Sequence, residues 1–168
     1  RLARELDMGK VIVPLTPGTL CALGLLLTDL RADFAISRLL PLDDSALASI
    51  DAGFADLMGQ AGEWFDAEEI SADRRVMTRT ADMRYMGQNY ELSVAVPAGP
   101  ITPETFKVLE EGFEAAHRQR FGFVAEGEQI QLVTLRLEAA GIVNKAQFKP
   151  QPEEGPDASA AQIATRDV

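Results

Sequence analysis

Two hydrophobic periods alternate along the middle of this chain, and their order constrains the fold more than any other feature. Apolar residues recur at helical spacing in two segments, about 43–65 and 102–122, and at strand spacing in four, about 32–42, 74–85, 89–96 and 129–140. The resulting order is strand, helix, strand, strand, helix, strand. It predicts an α+β domain over residues 32–143, with a ferredoxin-like or related βαββαβ antiparallel sheet and both helices on one face.

Local signals mark the ends of the two helices. Asp43 or Asp44 caps the first helix, and Thr102, followed by Pro103 at the first helical position, caps the second. Gly122 is placed to end the second helix. Each helix carries one apolar stripe: Leu47, Ile50, Phe54, Leu57, Met58, Ala61, Trp64 and Phe65 in the first, and Phe106, Leu109, Phe113 and Ala116 in the second.

The strands carry a turn and an irregularity. Residues 86–88 join the second and third strands, and Gly87 supplies the turn. Tyr90, Leu92, Val94 and Val96 alternate with other residues in the third strand. In the first strand Phe34 and Ile36 face inward, and Leu39 and Leu40 are further candidates for the inward face. A change of parity near Leu132 predicts a bulge in the last strand.

The first 31 residues suggest the end of another domain. Residues 1–8 resemble the last turns of a helix closed by Gly9, and residues 10–14 predict a short buried strand. Thr16 then caps an apolar helix over residues 17–31, which must be buried on all sides and therefore makes Cys21 an inert packing residue. The chain is expected to begin inside a longer protein. Residues 144–168, rich in Pro, Glu and Ala, predict a flexible linker or tail.

Composition excludes several classes of function. The formal net charge of −10 argues against a nucleic acid partner. The apolar run over residues 20–27 is less than half of the ~20 residues that cross a bilayer, so no membrane segment is expected. One cysteine and one histidine, His117, provide too few ligands for a zinc site of His/Cys type. The sequence contains no phosphate loop and no nucleophile elbow, so the reactive parts are expected elsewhere.

Three segments of the chain together resemble one family. They are residues 11–34, with Val-Ile-Val-Pro and Ala-Leu-Gly-Leu-Leu; residues 83–92, Met-Arg-Tyr-Met-Gly-Gln-Asn-Tyr-Glu-Leu; and residues 113–137, with Arg-Phe-Gly-Phe and Val-Thr-Leu-Arg-Leu. This pattern is similar to the C-terminal part of the hydantoinase A/5-oxoprolinase family, which includes ketone carboxylase subunits. Residues 83–92 are its most specific part.

The resemblance implies a cytoplasmic enzyme that activates a cyclic amide or a ketone by ATP-dependent phosphorylation and then hydrolyses or carboxylates it. ATP and a divalent metal would bind an actin-like core upstream, of which residues 1–31 would be the end. No cofactor is expected in this fragment, which should be inactive alone. The expected partners are that upstream core, a subunit of hydantoinase B type, and a second copy of this chain through residues 17–31.

The sequence assigns no catalytic residue and no metal ligand, but it offers candidates for contact with substrate or a partner. They are Arg84, Tyr85, Gly87, Gln88, Tyr90, Glu91 and His117. The turn at residues 84–91 is either a polar and aromatic binding surface or a plain hairpin with a surface ion pair between Arg84 and Glu91. For His117 the alternatives are use in catalysis and packing as a partly buried residue near the C-terminus of a helix.

Other features of the sequence have a structural interpretation. The acidic residues of the first helix, among them Asp51 and Asp56, form a solvated face, and residues 16–18 form a capped turn between strand and helix. Three functions remain open at this stage: a C-terminal part that closes over substrate, a module that only joins subunits, and an independent small-ligand domain.

Overall fold

The computed structural model describes residues 2–14, 17–145, 159 and 164–165. These residues fall into two units, one formed by residues 28–143 and the other by the described residues before 28 and after 143. The smaller unit contains helix α1 (Leu2–Glu5), a 3-10 turn at Pro17–Thr19 and helix α2 (Leu20–Leu27).

The larger unit is built on a four-stranded antiparallel sheet. Its strands are β1 (Leu30–Pro41), β2 (Arg75–Tyr85), β3 (Leu92–Ala95) and β4 (Ile130–Gly141), and they lie side by side in the order β1-β4-β2-β3. Helix α3 (Leu47–Ala67) connects β1 to β2, and helix α4 (Pro103–Phe121) connects β3 to β4. The predicted α+β class is confirmed. β2 and β4 occupy the centre, whereas a ferredoxin-like order would place the first and third strands there, so this is the related βαββαβ arrangement.

The parity change near Leu132 is a bulge in β4. Asp82 pairs with Thr134, while the next residue of β2, Met83, pairs with Leu132, so that Val133 is the extra residue. The bulge keeps Leu132 and Leu135 on the same face of the sheet, and both side chains are fully buried.

Both helices cover one face of this sheet. Phe54 and Leu57 of α3 and Leu109 and Phe113 of α4 are buried in a single core with the inward residues of the strands. α3 begins after a 3-10 turn that Asp43 caps, its carboxylate accepting a hydrogen bond from the Ser45 N–H at 2.9 Å. Thr102 caps α4 in a capping box. The opposite face carries polar residues, including the ion pair between Arg136 Nε and Asp82 Oδ2 at 2.5 Å.

The N-terminal predictions need correction. Residues 10–14 form no strand, and Val11 to Val13 are exposed. A strand is stable only when a neighbour pairs with its backbone, and no described strand pairs with this segment. Helix α2 ends at Leu27 instead of residue 31, because Leu30 pairs with Gly141 and begins β1. None of its residues is buried, and Cys21 is exposed.

The strand predictions need smaller corrections. β3 begins at Leu92 instead of residue 89, since its pairing with β2 ends at Met83. Leu39 and Met58 are exposed, although the first strand and first helix were predicted to bury them, while Leu40 packs against the core. Thr16 and nearly all of the predicted tail lie outside the described residues. Among the described helices, none has the length and apolar character that a membrane span requires.

Candidate functional site

The end of α4 places the only histidine of the chain beside a turn. Gly122 follows the helix with a φ of 85°, a conformation that glycine adopts without steric cost, and its N–H donates to the Arg118 carbonyl at 2.9 Å. The chain then doubles back, and the Phe123 carbonyl oxygen lies 2.8 Å from His117 Nδ1. A side-chain hydrogen bond therefore ties the turn to the last part of the helix.

Aromatic rings surround His117, which is only 3% exposed. Its ring centroid lies 4.9 Å from that of Tyr85, 4.7 Å from that of Phe121 and 5.0 Å from that of Phe123. Tyr85 is itself buried and packs edge-on against Phe113, and its hydroxyl oxygen accepts a hydrogen bond from the Ala125 N–H at 3.2 Å. Such edge and tilted contacts fix the imidazole in place.

The loop between β2 and β3 completes the site. Gly87 has a φ of 81°, and the Gln88 N–H donates to the Tyr85 carbonyl at 3.1 Å, which turns the chain sharply after β2. The following residues then lie opposite the end of α4. Between them lies an open recess of about 390 Å³, here named the His117 recess. It is lined by Gln88, Asn89, Tyr90, His117, Phe121 and Phe123.

The structure divides the candidates predicted from the sequence. Gln88, Tyr90 and His117 line the His117 recess, and Tyr85 packs directly behind it. Arg84 and Glu91 are not part of the lining: Arg84 Nη1 lies 3.7 Å from Glu91 Oε1. Arg84 also donates to Gln131 Oε1 at 3.2 Å. Arg84 projects from the face of β2 opposite to Tyr85, because neighbouring side chains of a strand alternate.

Three residues of the recess are not singled out by the sequence, although the first of them lies within the predicted 84–91 turn: Asn89, Phe121 and Phe123. A signal for two of them exists, because Phe121 follows His117 by one helical turn and Phe123 lies across the glycine that ends the helix. Tyr90 was grouped with the alternating residues of the third strand, but it is 73% exposed and contributes to the recess instead.

A buried arginine was missed as well. Arg79 donates to the carbonyl oxygens of Pro97 and Gly99, and its guanidinium lies 5.1 Å above the Phe54 ring. Burial lowers the pKa of Arg79, and the nearby Asp51 carboxylate opposes this shift. Arg79 and Asp51 line a second recess of about 320 Å³. The carbonyl contacts show that Arg79 fixes the 97–100 loop to β2.

The His117 recess offers a defined chemistry. All of its lining side chains are aromatic, amide or imidazole groups, and none carries a full negative or positive charge apart from a protonated histidine. Among the described residues, no three His, Cys, Asp or Glu side chains converge as metal ligands. A recess with this lining is suited to a neutral ligand.

Comparison with known proteins identifies the family. Residues 43–168 match the hydantoinase/oxoprolinase C-terminal domain. The chain belongs to the hydantoinase/oxoprolinase family. It is 31% identical over 161 residues to a protein of Methanocaldococcus jannaschii. The matched region covers 90% of this chain and 22% of that protein. It is 26% identical over 156 residues to caprolactamase subunit alpha of Pseudomonas jessenii, covering 91% of this chain and 22% of that subunit.

Solved structures agree with this family assignment. The crystal structure of the ATP-dependent caprolactamase from Pseudomonas jessenii has a TM-score of 0.69 and 25% identity, covering 97% of this chain and 24% of that one. The nucleotide-free structure of acetone carboxylase has a TM-score of 0.76, covering 84% of this chain and 22% of that one, and its 20% identity supports the fold alone. The hydantoinase/oxoprolinase chain thus spans less than a quarter of the length of these relatives.

Proposed function

We propose that this chain is the C-terminal part of an ATP-dependent enzyme of hydantoinase/oxoprolinase type, which activates a cyclic amide by phosphorylation and hydrolyses it. The observation that carries the proposal is the similarity to caprolactamase subunit alpha, which extends over 91% of this chain. The likeness to acetone carboxylase, at 20% identity, gives no comparable support to a ketone as the substrate.

The proposal assigns ATP and its divalent metal to the upstream core of the parent protein. Bound there, ATP would supply the phosphoryl group that makes an unreactive amide carbonyl susceptible to hydrolysis. The role of this chain is to close over the substrate and to contact other parts of the enzyme. By itself it should neither hydrolyse ATP nor bind it tightly, and a micromolar affinity for Mg-ATP in calorimetric titration of the isolated chain would contradict this division of roles.

The full-length parent protein, with its hydantoinase B type partner, provides the test of the reaction. With Mg-ATP we expect release of ADP together with the ring-opened product from at least one of hydantoin, 5-oxoproline and caprolactam. Acetone with bicarbonate serves as the competing substrate pair. ADP release that depends on the ketone, without ring opening of any cyclic amide, would overturn the proposal in favour of a carboxylase.

The second candidate function is that of a subunit-assembly domain without substrate contact. The exposure of Tyr90, at 73%, favours it, because a large aromatic side chain at a surface is typical of a protein interface. Gln88→Ala in the full-length enzyme separates the two functions, with Glu91→Ala, outside the His117 recess, as the comparison variant. A lower kcat in an intact complex supports contact with substrate, whereas dissociation of the subunits supports assembly.

A further inference from the structure

One ring nitrogen of His117 is held ready to accept a hydrogen bond. Nδ1 lies 2.8 Å from the Phe123 carbonyl oxygen, and because a carbonyl oxygen only accepts, Nδ1 must carry the hydrogen. In the neutral ring, Nε2 then has a free lone pair. The hydrogen bond to Phe123 thus selects one tautomer of the imidazole.

Nε2 is also accessible. The described part of the chain gives it no hydrogen-bond partner, and that same part contains no side-chain nitrogen or oxygen that is both fully enclosed and unpartnered. Although the His117 side chain is only 3% exposed, Nε2 must therefore be reached by solvent, and His117 lines the recess. A packed histidine usually has hydrogen-bond partners for both ring nitrogens. An unpartnered Nε2 at such a recess is therefore suited to accept a hydrogen bond from a ligand.

The rest of the lining selects the kind of ligand. The Tyr90 and Phe121 rings, with centroids 6.1 Å apart, present aromatic surface, while the side chains of Gln88 and Asn89 supply amide groups. A charged ligand would lose its hydration here without meeting an opposite charge. A flat, neutral ring instead gains apolar burial and contacts with the aromatic rings.

We propose that the His117 recess binds a neutral cyclic amide, whose N–H donates to His117 Nε2 and whose ring lies against Tyr90 and Phe121. The amide carbonyl accepts from the side-chain amide of Gln88 or Asn89. A recess of about 390 Å³ lies within the usual size range of small-molecule sites. The choice of a cyclic amide among neutral rings with an N–H donor rests on the proposed function of the parent enzyme.

The single histidine makes a direct test possible in the chain of 168 residues. Labelling histidine with ¹⁵N gives two ring-nitrogen resonances, both from His117. Without ligand, we expect the resonances of an Nδ1-protonated tautomer. Addition of 2-pyrrolidinone should shift the Nε2 resonance in a saturable manner, with a dissociation constant of about 10 mM or tighter.

N-methyl-2-pyrrolidinone is the matched control ligand, because it has the same ring and carbonyl but no N–H. It should bind at least about fivefold more weakly, since Nε2 is left without its hydrogen bond. Equal affinity of the two ligands, or no saturable shift with 2-pyrrolidinone, would overturn the proposal.

Variants locate the binding in the recess. Tyr90→Ala, at a 73% exposed position that the fold does not need, should weaken binding about three- to tenfold. Val108→Ala, at a 47% exposed position on the same helix as His117 but outside the recess, should leave binding unchanged. His117→Asn retains a donor for the Phe123 carbonyl but lacks Nε2, and ligand-observed NMR should detect no preference for 2-pyrrolidinone over its N-methyl analogue.

The outcome is distinguishable from that of the proposed function. If the full-length enzyme opens cyclic amides but this chain shows no His117 response, the recess proposal is wrong and the proposed function stands. If 2-pyrrolidinone binds as described but the full-length enzyme opens no cyclic amide, the recess proposal stands and the proposed function is wrong.

Discussion

At the residue scale, the face from which a side chain leaves β2 determines its role. Arg84 and Tyr85 are neighbours in the sequence, yet Tyr85 is buried behind the His117 recess while Arg84 meets Gln131 and Glu91 on the other side of the sheet. The side chains of Arg84 and Glu91 are 22% and 37% exposed, so solvent screens their attraction. This ion pair is therefore a weak contributor to the stability of the domain.

Removing the charge of Glu91 tests this conclusion. Glu91→Gln should change the free energy of unfolding of the chain by less than about 1 kcal/mol, as measured in urea. Leu109→Ala, at a fully buried position, is the positive control and should cost about 2–5 kcal/mol. A loss above about 2 kcal/mol in Glu91→Gln would show that the pair is a structural element of the 84–91 loop.

At the element scale, glycines within α3 have different surroundings. A Cβ added to Gly53 would lie 2.5 Å from Leu135 Cδ1, in the fully buried contact between helix and sheet. A Cβ added to Gly59 would meet no atom within 4 Å. The close approach of α3 to β4 therefore favours glycine at position 53, where a larger residue would displace Leu135. At position 59, glycine has no such packing role and only lowers the helix propensity.

Alanine substitution separates these two effects. Gly59→Ala should raise the free energy of unfolding by about 0.5–1 kcal/mol, because alanine has the higher helix propensity. Gly53→Ala gains the same propensity but overpacks the contact with Leu135, so it should be less stable than Gly59→Ala by about 1–3 kcal/mol. Thermal or urea unfolding measures both, and equal stability of the two variants would show that α3 can shift away from β4.

A carboxylate in the first turn of α4 makes the stability of the fold depend on pH. A backbone hydrogen bond and the Thr102 hydroxyl lower the pKa of Glu104 below its ordinary value of 4.5, with a smaller contribution from Lys107. Because the pKa is lower in the folded chain, Glu104 stabilises the fold above pH 4.5, and this contribution is lost as the pH falls through the folded value.

The contribution is measured by comparing the free energies of unfolding of Glu104→Gln and of the unsubstituted chain over a range of pH. The unsubstituted chain should be the more stable at neutral pH, and the difference should narrow as the pH falls below 4.5. A difference that stays constant down to acid pH would show that Glu104 contributes through packing and not through its charge.

At the scale of the whole molecule, α2 exposes more apolar surface than a soluble monomer usually does. Leu20 is 48% exposed and Leu26 67% exposed. Complete burial of a leucine side chain stabilises by about 1.5–3 kcal/mol, so a contact that covers this helix is strongly favoured. We therefore expect the chain to associate with a second copy through residues 17–31 when no upstream core covers them.

Sedimentation and light scattering over a range of concentrations measure this association. The unsubstituted chain should show a mass that rises with concentration, and the double variant Leu20→Glu with Leu26→Glu should remain a monomer. Val108→Glu, another exposed apolar position, should behave as the unsubstituted chain does. A monomeric unsubstituted chain at high concentration contradicts the expectation.

The local parts of the fold could be predicted from the sequence. The caps at Asp43 and Thr102, the end of α4 at Gly122, the turn at Gly87 and the bulge near Leu132 were all correct, since each depends on neighbouring residues and on a hydrophobic period. The βαββαβ order followed from the same periods.

Tertiary contacts decided the remainder, because the relevant residues are far apart in the sequence. Pairing of Leu30 with Gly141 ended α2 four residues before its predicted end at residue 31, since strand hydrogen bonds replaced those of the helix. The His117 recess joins the loop after β2 to the turn after α4, and no periodicity relates those segments. In the larger unit, the sequence by itself determined which elements form and where Gln88, Tyr90 and His117 lie along them. Only the packing of β2 against α4 brought these residues to one site.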